Sequence, residues 1–327
     1  MTHSPGHARE FPHVIDSTMI ASLACHRRWK QAYEQNYAPD GGKSIHLMAG
    51  AAFAKGLEVM RLSYVQGYYD KPNIAHGPDG LSIVADGTCS RIVVNNAQDA
   101  LELGLESLIT NYDTSVEHNT AKTLDRMAGA LEYYASVFPI DDAQFGTIST
   151  IAGKPGVEWN FCVPLPVLHP DTNEPLLYSG RLDVVLDVYG GRYLTDDKTT
   201  SALGFSWPSQ WDMRGQFAGY AWGASELGIQ IDGSLIRGVS ILKTKYDHAQ
   251  AIVHQPRWKI HEWKRATCDK LLQAIELYRR GIEIPAFGEA CNEYGGCEFK
   301  SPCMVRDHAE WLDANFVERN WNPLERH

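Results

Sequence analysis

The dipeptide Gly190-Gly191, set between two runs that read as strands, constrains this chain more than any other feature. Residues 176–188 and 192–197 read as strands, and Gly-Gly accepts positive φ at both centres of a two-residue hairpin turn. With Gly190 and Gly191 as the loop, Tyr189 pairs with Arg192, Val185 faces Asp196, and Asp183 faces Lys198. Paired residues share a sheet face, and faces alternate along each strand. The hairpin therefore places Asp183, Asp196 and Lys198 on one face. Leu182, Val184, Leu186 and Val188 fall on the other, which can be core. Asp183 and Asp196 become diagonal neighbours, with Cβ atoms roughly 7–8 Å apart.

Two carboxylates at that separation can converge on one Mg²⁺ or Mn²⁺, since hard cations take oxygen ligands. The backbone carbonyl of Asp197 can add a third oxygen. Such a metal polarises a phosphate and lowers the pKa of bound water, while Lys198 can orient that water and stabilise developing negative charge. An ordinary charged surface turn would carry the same residues. The set is read here as a phosphodiester-hydrolysing site.

Around the hairpin the sequence predicts an ordered chain with a 44% hydrophobic fraction and no run long enough to span a membrane. Asp16-Ser17-Thr18 can cap a helix leading to Cys25. Helices are expected over 46–64, where Gly50 and Gly56 permit close contact, and over 97–109 and 120–138. Residues 73–87 read as a loop. Strands are expected over 157–167, 235–245 and 249–254, and helices over 208–227 and 258–280, the last stopped by Gly281. Gly215, Gly219 and Gly223 recur every four residues and suit tight packing on a sheet. The order describes an α/β chain, with a helical part ahead of a mixed sheet and no linker that would split it.

The chain has seven cysteines, a polar N-terminus without an apolar signal core, and a net charge of −10. The expectation is a cytosolic protein whose thiols are reduced or metal-bound. The acidic balance excludes a uniformly basic coat for nucleic acid, but leaves room for a local basic groove. Arg27, Arg28, Lys30, Lys243, Lys245, Lys259, Lys264 and Arg265 are candidates for it. Cys25, Cys291, Cys297 and Cys303 can bind a [4Fe–4S] cluster or Zn²⁺; the C-x5-C-x5-C spacing suits zinc less well. Cys89, Cys162 and Cys268 are read as buried small hydrophobes.

Gln216 and Tyr220 lie one turn apart on the helix after the hairpin. Taken with Gly180-x-x-Asp183 and Asp196-x-Lys198, in that order, they make the chain resemble the RecB-like branch of the PD-(D/E)xK nuclease superfamily. The cysteines resemble the iron–sulfur members of that branch, of the AddB and CRISPR spacer-acquisition types. Those members carry one cysteine before the core and three after it, often beginning with C-x2-C, from which this chain departs.

The resemblance spans most of the chain and implies a restriction-endonuclease-like core: a mixed central sheet flanked by helices. It implies one nuclease domain over 1–327, with a helical N-terminal part at 17–145, the core at 146–282 and a C-terminal cysteine segment at 283–327. The cluster would join the two ends. The resemblance also implies that Gln216 and Tyr220 support the site and contact nucleic acid. The substrate would be DNA with single-stranded or free ends, and the activity exonucleolytic or flap-directed. No P-loop occurs, so a helicase or recombination partner would be a separate chain. Where the family's early helix has Gly-x-x-x-His-x-x-x-Glu, this chain has Gly50, Ala54 and Glu58. Glu58, one turn beyond Ala54, can stand in for the missing metal-binding His, and Glu158 is a further possibility. Without a replacement, the fold would serve as a weak or inactive DNA-binding scaffold.

Overall fold

The structure, a computed structural model, describes residues 9–40, 44–76, 82–117, 120–281, 284, 288–292 and 296–325. A short helix α1 (Ser17–Ser22) is capped by Asp16, whose carboxylate accepts from the Met19 N–H. The helical part comprises α2 (Ile45–Gln66), α3 (Ala97–Asn111) and α4 (Leu124–Val137). The central sheet follows: β1 (Val157–Leu168), β2 (Pro175–Val188) and β3 (Gly191–Thr200), then α5 (Gly215–Glu226), β4 (Gly233–Ile241) and β5 (Tyr246–His254). The long helix α6 (Arg257–Arg280) leads to the cysteine-bearing end.

Strand order is β1-β2-β3-β4-β5, and short strands at Val14–Ile15 and Thr147–Ile148 add to β2. Neighbours among β1 to β5 are antiparallel except β3 and β4, which run parallel because α5 crosses between them. The sheet is mixed and flanked by helices, as expected.

Each face has its own core. On one face Phe161, Tyr178, Val185 and Leu194 pack with Tyr220 and Trp222 of α5 and Leu271 and Ile275 of α6. On the other, Val239 and Ile241 pack with Phe53, Leu57 and Met60 of α2 and Leu131 and Tyr134 of α4. Glycines set the closest approaches. A Cβ on Gly219 would stand 2.3 Å from the Tyr178 hydroxyl, and one on Gly223 would stand 2.1 Å from the Phe161 ring. The small face of α5 therefore lets the helix settle onto aromatic side chains of the sheet.

Three expectations need correction. The hairpin turn is Tyr189-Gly190, with φ of 55° and 75°, and not Gly190-Gly191. Gly191 pairs with Val188 inside the sheet. Its missing Cβ serves a neighbour instead, because one would stand 2.9 Å from Asp232 Oδ2, which accepts from the Arg192 N–H at 2.8 Å. The segment read as a loop over 73–87 contains strand: Tyr68–His76 and Ser82–Val93 form a hairpin with a register shift. The helix expected over 208–227 is split into a single turn at Ser209–Trp211 and α5.

Candidate active site

The corrected turn changes the pairing across the site. Leu194 lies opposite Val185 and Thr195 opposite Val184, where the paired register ends, one step short of Asp183 and Asp196. The register moves by two residues, which preserves face parity. Asp183, Asp196 and Lys198 therefore still share a face.

That face opens into a groove of about 1280 Å³ between the sheet, α1, α5, α6 and the end of the chain. Asp183, Asp196, Lys198, Gln216 and Tyr220 all line it. Asp183 Oδ2 accepts from the backbone N–H of Asp197 at 2.9 Å, and Gln216 Nε2 donates to the Tyr220 hydroxyl at 3.1 Å. Lys198 Nζ stands 2.5 Å from Asp196 Oδ2 and forms an ion pair with it. Gly180 explains itself here: a Cβ would press within 2.5 Å of Phe161 and 2.8 Å of Tyr220.

The electrostatics follow from crowding like charges in a partly dry groove. Burial, then repulsion from Asp196 and Asp197, pushes the Asp183 carboxyl up to about 8. Burial also raises Asp196, with Lys198 pulling it back. Burial draws Lys198 down, but Asp196 and Asp183 together lift it above its ordinary value. Burial and the same two carboxylates push Tyr220 up to about 12, although the hydrogen bond with Gln216 opposes them. A pair of carboxylates lining one groove is a donor set that suits a hard divalent cation. Among the described residues, no group of three or more His, Cys, Asp or Glu side chains is arranged to hold a metal ion.

Glu58 is not among the residues that line the groove. It pairs with Lys55 at 2.8 Å and repels Glu158, whose carboxyl is raised chiefly by burial. Glu158 stands in an unusual left-handed conformation (φ 48°) and pairs with Arg181 at 3.0 Å. Ala54 is solvent-exposed. Of the basic residues proposed for a groove, Lys259 lines it. Lys243 and Lys245 are exposed on the β4–β5 turn, Lys264 pairs with Glu226, and Arg265 pairs with Glu262. The groove's other cations, Arg181, Arg214 and Lys270, were missed, as was the Asp16-Ser17 corner. Nothing in their local sequence marks them, because they reach the groove from four different elements.

The four cysteines come from both ends and are all half-buried. Burial raises the thiols of Cys297 and Cys303; the charge of Cys25 acts on both, and that of Cys291 acts on Cys303. Arg28 and Arg27 oppose these effects at Cys297 and Cys303 respectively. Among the described residues, no three of these thiols are gathered into a group that could hold a metal ion. The ends are also tied without one. Phe316–Glu318 pairs antiparallel with Tyr37–Pro39, Arg28 meets Glu298 at 3.1 Å, and Trp321 donates to Asp16 at 2.9 Å. Cys89 and Cys162 are exposed rather than buried, Cys162 because it falls on the outward phase of β1. Cys268 packs against the core, half-buried.

No family model and no curated protein matches the chain. A solved structure from Eubacterium rectale, provisionally named an exonuclease, is similar at 12% identity and a TM-score of 0.44, over 83% of each chain. The solved structure of SSO0001 is similar at 14% identity and a TM-score of 0.28, over 44% of this chain and 58% of that one. No helix among the described residues is long and apolar enough to cross a membrane.

Proposed function

We propose that the chain is a divalent-metal-dependent DNA nuclease of the RecB-like PD-(D/E)xK type, acting on single-stranded or free ends. One observation carries this reading: Asp183, Asp196 and Lys198 line a single groove together with the Gln216–Tyr220 pair. Asp183, Asp196 and the backbone carbonyl of Asp197 would hold Mg²⁺ or Mn²⁺. When bound, the ion supplies Lewis-acid polarisation of the phosphate and a more acidic water. Lys198 neutralises charge that builds on the phosphate oxygens during attack. Gln216 and Tyr220 present their polar ends to the groove and orient the strand's backbone. Cys25, Cys291, Cys297 and Cys303 would hold a [4Fe–4S] cluster, or Zn²⁺, away from the chemistry.

A second reading is a DNA-binding scaffold with little or no catalysis. Exposed Ala54 and the engagement of Glu58 with Lys55 favour it. The deciding experiment is cleavage of end-labelled single- and double-stranded DNA with Mn²⁺ or EDTA, by the parent protein and Asp196→Ala. Mn²⁺-dependent cutting that disappears in Asp196→Ala supports the nuclease. Equal cutting by both proteins refutes the site, and binding without cutting by the parent favours the scaffold.

A further inference from the structure

Asp197 lies between two residues of the candidate site yet sends its side chain the other way, into the helical part. Its Oδ1 accepts from the Tyr134 hydroxyl at 2.6 Å, and its Oδ2 stands 2.7 Å from Arg61 Nη2. Arg61 also donates to the Tyr134 hydroxyl at 2.8 Å, which closes a triangle. The triangle is dry: Arg61 is 5% exposed, Tyr134 2%, and the Asp197 side chain 3%. Burial disfavours the Arg61 cation, but Asp197, with Tyr134 and Asp183, outweighs it and holds the guanidinium above its ordinary range.

A buried ion pair is an expensive way to dock a helix on a sheet, since apolar residues of similar volume often serve as well. This one has a second connection. The backbone N–H of the same Asp197 donates to Asp183 Oδ2 at 2.9 Å. Fixing the Asp197 side chain on one face of β3 therefore fixes the direction of its amide at the strand edge. That amide in turn holds one oxygen of Asp183. Arg61 comes from α2 and Tyr134 from α4, so the helical part reaches the carboxylate pair without touching it.

We infer that Arg61 and Tyr134 are positioning residues for Asp183, acting through Asp197. The inference rests on the nuclease reading for its functional consequence, but has a readout of its own. Residues that orient metal ligands typically change metal affinity or activity by about 10–100-fold when removed. Tyr134→Phe keeps the ring and deletes one hydroxyl. Arg61→Lys keeps the charge, and Arg61→Met removes it.

The test is threefold: amide hydrogen exchange across β3 in metal-free protein, Mn²⁺ affinity by calorimetry, and kcat separated from KM on single-stranded DNA. In Tyr134→Phe the Asp197 amide should exchange about 10-fold faster while the rest of β3 is unchanged. Mn²⁺ should bind about 10-fold more weakly, and kcat should fall with KM for DNA constant. Arg61→Lys should recover part of what Arg61→Met loses. Unchanged exchange at Asp197 in Tyr134→Phe overturns the inference whatever the activity does, as does a variant that melts lower yet keeps parental Mn²⁺ affinity and kcat. Should the parent itself neither bind Mn²⁺ nor cut DNA, the nuclease reading fails, and the exchange measurement still decides the positioning claim.

Discussion

Asp183→Asn separates the cost of this site from its use. The side chain keeps its shape, and its amide oxygen can still accept from the Asp197 N–H. What disappears is a negative charge repelled by Asp196 in a partly dry groove. The folded protein raises the Asp183 carboxyl from 3.8 to about 8, first by burial and then by Asp196 and Asp197. Between those values the folded state binds more protons than the unfolded chain, so metal-free stability falls as pH rises from about 4 to 8. Each pKa unit corresponds to about 1.4 kcal/mol, which caps the effect at about 6 kcal/mol. Water reaching the half-buried carboxyl reduces the expected penalty to about 1–3 kcal/mol.

At pH 8 in EDTA the asparagine variant should therefore melt above the parent, by about 2 °C for each kcal/mol in a chain of this size. Below about pH 3, where the parent carboxyl is protonated in both states, the two should melt together. In Mn²⁺ the order should reverse, because only the parent gains from binding the ion. Thermal melts at both pH values, with EDTA and with Mn²⁺, make the comparison. A variant that melts below the parent at pH 8 in EDTA would refute the claim that like-charge crowding destabilises the metal-free site.

Lys198→Ala should lower cleavage about 10²-fold or more without changing the fold, checked by single-turnover kinetics beside circular dichroism. Gly223→Ala forces a methyl into the Phe161 ring and should cost about 1–3 kcal/mol, read as a lower denaturant midpoint; parental stability would mean that α5 is not so closely seated. Protein purified without oxygen should be brown, and Cys25→Ser and Cys297→Ser should lose the colour and melt lower before they lose activity at low temperature. Zinc without iron in the parent would replace the cluster by a Zn²⁺ site, and neither metal would remove it. The loss of stability should fall below the about 5 kcal/mol that closure of so long a loop allows, because the strand pair between Phe316–Glu318 and Tyr37–Pro39 joins the ends independently.

The sequence alone determined the composition of the site's inner face. Alternation along two strands joined by a tight turn puts Asp183, Asp196 and Lys198 on one side, and this survives a wrong choice of turn because a two-residue slip restores every side chain to its face. The four-residue recurrence of Gly215, Gly219 and Gly223 likewise announced a helix lying close on a sheet. Tertiary structure decided the rest. Whether Gly191 belonged to the turn depended on Asp232, 41 residues along, pressing against it. The groove's cations and the Arg61–Tyr134–Asp197 triangle depend on which helices cover which face, and no local pattern encodes that. Arg61 stood in the sequence as one of three charged residues in a largely apolar helix. Its meaning came only from the carboxylate that the sheet carries to it, because a buried charge is stable only where the fold supplies its partner.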